Sequence, residues 1–400
     1  METGSTQTAA PAGEKRAHRG IVFALMVFAS ILAFLAVFSI WANRQMLETD
    51  NWVETSTELL EDEEIRTQLA GFMVDEVYAN VDVQGELEQR LPPQLQGLAA
   101  PAAGGIRELM NQAANEALQR PRVQQAWESI NRATHETLIK VVEEDSDQSV
   151  TLDLGTIVED VGSRAGVDVA GKLPPDAGQI EILPPQELTT ARDIVNLIEK
   201  LAIWLTLIAL ILFGLAIYLA KGWRREALRG VGFAFIVVGL AVALARGLAG
   251  NIVVDALAST AAVTPAVEDT WDIGTSMLRE GAGAMVFYGI VIVLGAWLAG
   301  PSAIARAARE ELAPIFNRRG TGYAFLFALL LLLFWWAPTE GFRRLPISIL
   351  IIALFVIGFE FLRAQTLREF PAATWEQGAE RWRARGRALR GRWDRRGPTA

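Results

Sequence analysis

The chain contains no cysteine and only two histidines, His18 and His135, among its 400 residues. Without thiols it has no disulfide framework, thiolate nucleophile, iron–sulfur ligation or thiol-held zinc, and two histidines alone do not make a multi-histidine metal site. A paired carboxylate, a nucleophile–base set and a phosphate-binding glycine loop are missing as well. The expectation is a protein that is not an enzyme, with no cofactor, catalytic residue or metal ligand. What the chain has in excess is apolar residues: 51% are hydrophobic and the mean hydropathy is +0.25, yet 21% are charged. Both shares are too large for one evenly mixed soluble fold, so the two classes must be segregated along the chain.

Residues 21–41 (IVFALMVFASILAFLAVFSIW) run for 21 positions without a charge. That meets the ~20 residues a helix needs to cross a hydrocarbon layer. Lys15, Arg16 and Arg19 precede the run, as in a secretory signal, but such signals have shorter apolar cores and no small-x-small cleavage site follows here. The run reads as an uncleaved anchor behind a cytoplasmic tail, residues 1–20. Further spans are expected at 196–220, 231–254, 282–299, 322–337 and 346–362, six in all. The fifth and sixth are short, and the Trp335–Trp336 pair suits a membrane interface. Counting lysine and arginine near the span ends places eleven on one side, including those in the 300–320 loop, against Arg279, Arg343 and Arg344 on the other. By the positive-inside rule both termini are cytoplasmic. The 32 arginines against 5 lysines, with abundant alanine, agree with a GC-rich bacterial source.

Residues 42–195 then form an extracytoplasmic domain with 29 acidic and 11 basic residues, a net −18, which leaves +9 for the rest. An acidic domain of this kind repels nucleic acid, so no nucleic-acid partner is expected, and it favours cations or basic partners. After Asp50, a plausible N-cap, Ile65, Leu69, Phe72, Met73 and Val77 follow helical spacing. So do Ile106, Leu109, Met110, Ala113, Ala117 and Leu118. From Pro121, a favoured first helical residue, Trp127, Ile130, Thr134 and Leu138 share a face. Past the acidic turn 143–147 (EEDSD) the period becomes two, in SVTLDL at 149–154 and QIEIL at 179–183, which predicts two paired strands joined through a short helix near 156–163. The expected fold class is mainly α: a six-helix transmembrane protein with an α+β extracytoplasmic domain inserted between its first and second spans. After Pro184–Pro185, the absence of glycine and proline up to Gly214 predicts one long helix that continues the second span outward.

Few side chains qualify as functional candidates. The EEDSD turn lacks the glycine and glutamate of a calcium loop, since Val150 and Thr156 stand there counting from Asp145. His135, without a second histidine in the domain, reads as structural. Arg246 and Glu360 are the charges within spans, each near a membrane surface. Gly239, Gly247, Gly250, Gly289 and Gly295 read as positions of close helix packing. In the basic cytoplasmic tail, residues 363–400, Trp375, Trp382 and Trp393 fall on one helical face among Arg381, Arg383, Arg385 and Arg387, a pattern suited to anionic lipids of the cytoplasmic leaflet. The stretch 301–316 (PSAIARAAREELAPIF) is a second candidate interfacial helix.

Four strings, NWVETSTELLEDEEIRTQLA at 51, LPPDAGQIEIL at 173, KGWRREALRG at 221 and AWLAGPSAIARAAREELAP at 296, carry a resemblance. The chain resembles a family of multi-pass integral membrane proteins from actinobacteria. The resemblance implies a cytoplasmic-membrane location and brings no activity or catalytic residue with it. The functional expectation is a non-enzymatic envelope scaffold or sensor that presents its acidic domain to an envelope protein partner. A transporter or channel subunit is the alternative.

Overall fold

The computed structural model describes residues 12–143, 151–153, 179–181, 185–336 and 345–371. These divide between two compact units. The domain unit holds the described residues within Leu35–Thr206 and Val242–Arg279; the bundle unit holds those within Met1–Phe34, Leu207–Ala241 and Glu280–Ala400.

In the domain unit, the end of α1 (Ala12–Leu47) leads into α2 (Thr49–Glu61), α3 (Glu63–Asn80), α4 (Val83–Arg90), α5 (Ala99–Leu118) and α6 (Pro121–Glu143). Asp50 lies inside α2 and caps nothing. The helix break comes at Asp62, whose backbone is extended and whose carboxylate accepts a bond from the Ile65 amide at 3.0 Å, opening α3. Helix α2 packs on α6, where the Trp127 indole donates to the Ser56 carbonyl at 2.9 Å. Helices α3 and α5 run antiparallel, joined by Arg66 to Asn115 at one end and Tyr78 to the Ala103 carbonyl at the other. Leu60, Ala70 and Leu118 form the core between these pairs, with Leu69, Ala114, Val123 and Trp127 around it. The α3 face differs from expectation: Ala70 and Val74 are buried, while Phe72, Met73 and Val77 are exposed. Small residues let the two helices approach closely and leave the larger ones outward.

The α+β expectation is corrected. The described part of residues 42–195 is built from helices. Its only strand pairing among the described residues is a three-residue antiparallel ribbon, β1 (Thr151–Asp153) against β2 (Gln179–Glu181), with Leu152 opposite Ile180. A two-stranded ribbon of that length makes no sheet layer for helices to cover, so the domain is helical. The rest of the acidic turn and the helix expected near 156–163 lie outside the described residues.

The count of six spans is also corrected. Among the described residues four helices are long and apolar enough to cross a membrane: Arg19–Leu47 within α1, Thr189–Leu219 within α7 (Pro185–Leu219), all of α8 (Arg224–Leu257), and Ser276–Leu298, which is α10 and follows the short α9 (Thr264–Gly274). A fifth exists only if α11 (Ala303–Asn317) and α12 (Arg319–Trp336), bent by 113° from each other, count as one broken span. Alone, the 18 residues of α12 rise only about 27 Å. The run expected as the sixth span opens α13 (Leu345–Glu369), whose second half carries Glu360, Arg363, Arg368 and Glu369 and is bonded to α11. Four or five apolar helices mark a multi-pass membrane protein.

Within the bundle unit α8 and α10 touch backbone to backbone. A Cβ on Gly289 would lie 2.7 Å from the Gly232 carbonyl oxygen, and one on Gly239 would lie 2.6 Å from that of Ala282. Gly247 and Gly295, expected in the same role, have open space around them. Gly289→Leu should therefore lower the thermal midpoint of the detergent-solubilised protein sharply, since overpacking costs about 1–3 kcal/mol and here the neighbour is rigid backbone. Gly247→Ala and Gly295→Ala should hold or raise the midpoint, because alanine gains up to about 1 kcal/mol in a helix interior.

Candidate functional site

The first flagged charge, Arg246, sits in the domain-unit part of α8. Its Nε donates to the Thr275 hydroxyl at 2.8 Å and its Nη2 to the Asp272 carboxylate at 2.7 Å. Both partners belong to the segment around α9, which no hydropathy pattern had marked as an element. Gly250, one turn further along α8, leaves room for the Trp271 ring: a Cβ there would stand 2.6 Å from the indole nitrogen. The Trp41 indole of α1 donates to the Gly274 carbonyl at 3.2 Å. From its other side α9 packs on α2 and α3, and Gln68 donates to the Ala262 carbonyl at 3.1 Å. Five polar or ring contacts thus seat α9 between two apolar helices and the corner where α2 meets α3. Sequence reasoning missed this seat, although an arginine in an apolar helix demands an anion, and the carboxylates of VEDTWD at 267–272, in the next stretch of chain, were a usable signal.

The electrostatics of the seat are unbalanced. Asp269 on α9 is partly buried, and burial raises its carboxyl above the usual range; Asp62 at the α3 cap and Asp272 raise it further. Arg246 is the guanidinium that answers Asp272.

The helical domain has a second fixed point at the elbow between α1 and α2. His135 of α6 is buried. Its Nε2 stands 3.1 Å from the Met46 carbonyl and its Nδ1 3.0 Å from the Thr49 hydroxyl. A carbonyl only accepts, so Nε2 carries the proton and Nδ1 accepts from Thr49. The ring stacks on Trp52 at 5.2 Å, and Arg132 bonds Asp50 at 2.7 Å beside it. This is a structural role.

Glu360, the second flagged charge, belongs to the bundle unit. It accepts the Tyr323 hydroxyl at 2.7 Å and lies 3.5 Å from Arg363, whose Nε donates to the Phe316 carbonyl at 3.0 Å. Nearby Arg309 of α11 is fully buried: its fork bonds Glu369 through two nitrogens, at 2.6 and 2.9 Å, and its Nη1 serves the carbonyls of Leu298 and Gly300. Gln365 donates to both Glu369 and the Ala299 carbonyl. Each flagged charge is thus engaged by side chains of its own unit. Trp375, Trp382, Trp393, Arg381, Arg383, Arg385 and Arg387 lie outside the described residues. Among the described residues, no group of three or more histidines or carboxylates is placed to hold a metal ion.

No family model, no curated protein and no solved structure matches the chain.

The raised carboxyl of Asp269 has a definite pH sign. Its charged form is disfavoured where α9 is seated, so the seat is weakest above the folded-state value and tightens as pH falls through it, with no further gain below the unfolded value. Asp269→Asn should mimic the protonated state. Hydrogen exchange in α9 should be slower in the variant than in the native chain at neutral pH, and the two should converge in acid. Arg246→Gln should act oppositely, exposing α9 to faster exchange at neutral pH.

Proposed function

We propose that the protein is a non-enzymatic envelope component, a scaffold or sensor, that presents the acidic segment 42–195 to a protein partner outside the cytoplasmic membrane. The observation that carries this reading is the seat of α9. An element joining two apolar helices packs on the α2–α3 corner, so displacement of that corner bears on α8 and α1 through Arg246, Trp271 and Trp41. The pairing of Arg246 and Glu360 within their own units supports the same reading, since side chains that bind a passing solute are not all engaged by the protein itself. A net −18 favours a basic partner, and Phe72 and Leu109, exposed by 66% and 65%, offer apolar contact on the domain. The basic residues near the span ends support cytoplasmic termini, and the basic tail adds affinity for anionic lipids of that leaflet. Kinship with actinobacterial multi-pass membrane proteins belongs to the same reading.

Because the chain has no cysteine, a single introduced thiol reports topology directly. In intact cells a membrane-impermeant maleimide should label the Ser259→Cys chain, and should label the Ala303→Cys chain only after lysis; the reverse pattern would reject the orientation. A photo-crosslinking residue at 72 or 109 should capture one recurring envelope protein in cells, and charge reversal of Glu63 and Glu64 should reduce its recovery. Solute flux through proteoliposomes that Arg246→Ala abolishes would replace the scaffold with a transporter or channel subunit.

A further inference from the structure

A basic turn bordered by aromatic rings joins α7 to α8 in the bundle unit. Gly222 takes a φ of +85°, in the left-handed region that favours glycine, and the chain reverses between Leu219 and Arg224. The reversal puts Lys221 in the turn and Arg224 and Arg229 in the first two turns of α8, and Arg19 of α1 reaches this segment at Trp223 and Glu226; all four cations are exposed. The Arg19 guanidinium lies 5.4 Å from the centre of the Trp223 ring and that of Arg224 lies 5.8 Å from Tyr218, both within cation–π range. The nearest acid, Glu226, stands 3.9 Å from Arg19. Arg225, exposed as well, donates to the Ala299 carbonyl at 3.3 Å. Among the described residues no carboxylate pairs with Lys221, Arg224 or Arg229. With Arg225, five exposed cations against Glu226 leave a local net charge of +4.

Position decides what such a cluster meets. The apolar run of α1 begins at Ile21, that of α7 ends at Leu219, and α8 turns apolar after Gly230, so the cations stand at the boundary of three hydrocarbon-crossing segments. Tyr218, with 61% of its surface exposed, and Trp223 belong at the same depth, where amphipathic rings settle at the level of lipid headgroups. Cations at that depth, two of them held by rings and most without a paired acid, face lipid phosphates before any soluble anion.

The geometry points to a headgroup site for an anionic phospholipid: Lys221, Arg224 and Arg229 hold the phosphate, Arg19 closes on it from α1, and Tyr218 and Trp223 set the depth. Occupancy ties α1 to the α7–α8 turn through one shared anion. The full chain, equilibrated with equimolar phosphatidylglycerol and phosphatidylcholine and released into detergent, should retain phosphatidylglycerol in native mass spectrometry. Arg224→Gln with Arg229→Gln should lower that retention about tenfold, as expected for two lost charges partly screened by salt. Arg224→Lys with Arg229→Lys should retain the lipid, which separates loss of charge from loss of fold. Arg318→Gln with Arg319→Gln, at the α11–α12 bend, should leave it unchanged. Equal retention of both lipids by the native chain, equal loss from the two glutamine pairs, or displacement of the lipid by inorganic phosphate would each overturn the site. Retention does not depend on which leaflet the turn faces, so failure here is distinct from failure of the topology, which thiol labelling reads.

Discussion

A helix ends with carbonyls that have no donor within the helix, and in this chain arginines from other elements supply them. Arg66 of α3 serves the last carbonyls of α2, at Leu60 and Glu61. Arg192 of α7 serves Val141 and Val142 at the end of α6. In the bundle unit Arg309 reaches Leu298 and Gly300 beyond α10, Arg225 reaches Ala299, and Arg363 reaches Phe316 in the last turn of α11. The cation also meets the negative end of the helix dipole at each joint. A guanidinium has five donors in a rigid fork, so one side chain can close a helix and still bond a second partner, as Arg66 does with Asn115 and Arg309 with Glu369. Lysine has no such fork, which gives the 32 arginines against 5 lysines a structural meaning beyond base composition.

These joints set the direction of each element more than its stability. Removing a buried ion pair from water consumes much of the attraction it gains, so Arg309 and Glu369 contribute little that an apolar pair of equal volume would not. What the fork adds is orientation. Two parallel bonds to Glu369 and two carbonyls on the α10 side fix how α11 lies, and the extended backbone of Arg318 then ends it, so that α12 leaves at 113°.

The long apolar runs were legible because a span needs only composition and length. The start of α6 at Pro121 and a satisfied role for His135 were legible too, since each depends on local chemistry or on the lack of a second histidine. The helix break at Asp62 was harder to see: a run of four acids reads equally as a first helical turn or as a cap, and only the Ile65 amide decides. The buried faces of α3 and α5 were read in part: Leu69 and Leu118 join the core as expected, but periodicity favours large apolar residues, whereas close antiparallel packing selects small ones such as Ala70 and Ala103 and turns Phe72 and Leu109 outward. Helix α9 escaped notice because eleven residues between two long apolar runs read as a connecting loop; the element is specified by Arg246, Gly250 and Trp41, far away along the chain. The strand signal at 149–154 and 179–183 overstated a three-residue ribbon, since alternation over five or six residues does not by itself recruit a third strand or a covering helix.

The two polar centres differ in balance, and the difference bears on where motion is cheapest. Between α11 and α13 the charges answer each other nearly one for one: Arg309 with Glu369, Arg363 with Glu360, and the Tyr323 hydroxyl on the remaining acceptor. At the α9 seat three carboxylates, Asp62, Asp269 and Asp272, interact while Arg246 bonds one of them. Like charges held together raise the free energy of the seated arrangement relative to one in which α9 lifts and the acids separate into water. The joint between the acidic domain and the apolar helices is therefore the less compensated of the two. A cation or basic side chain brought to it relieves repulsion that the protein itself leaves in place, and the acidic surface around it draws such a group in.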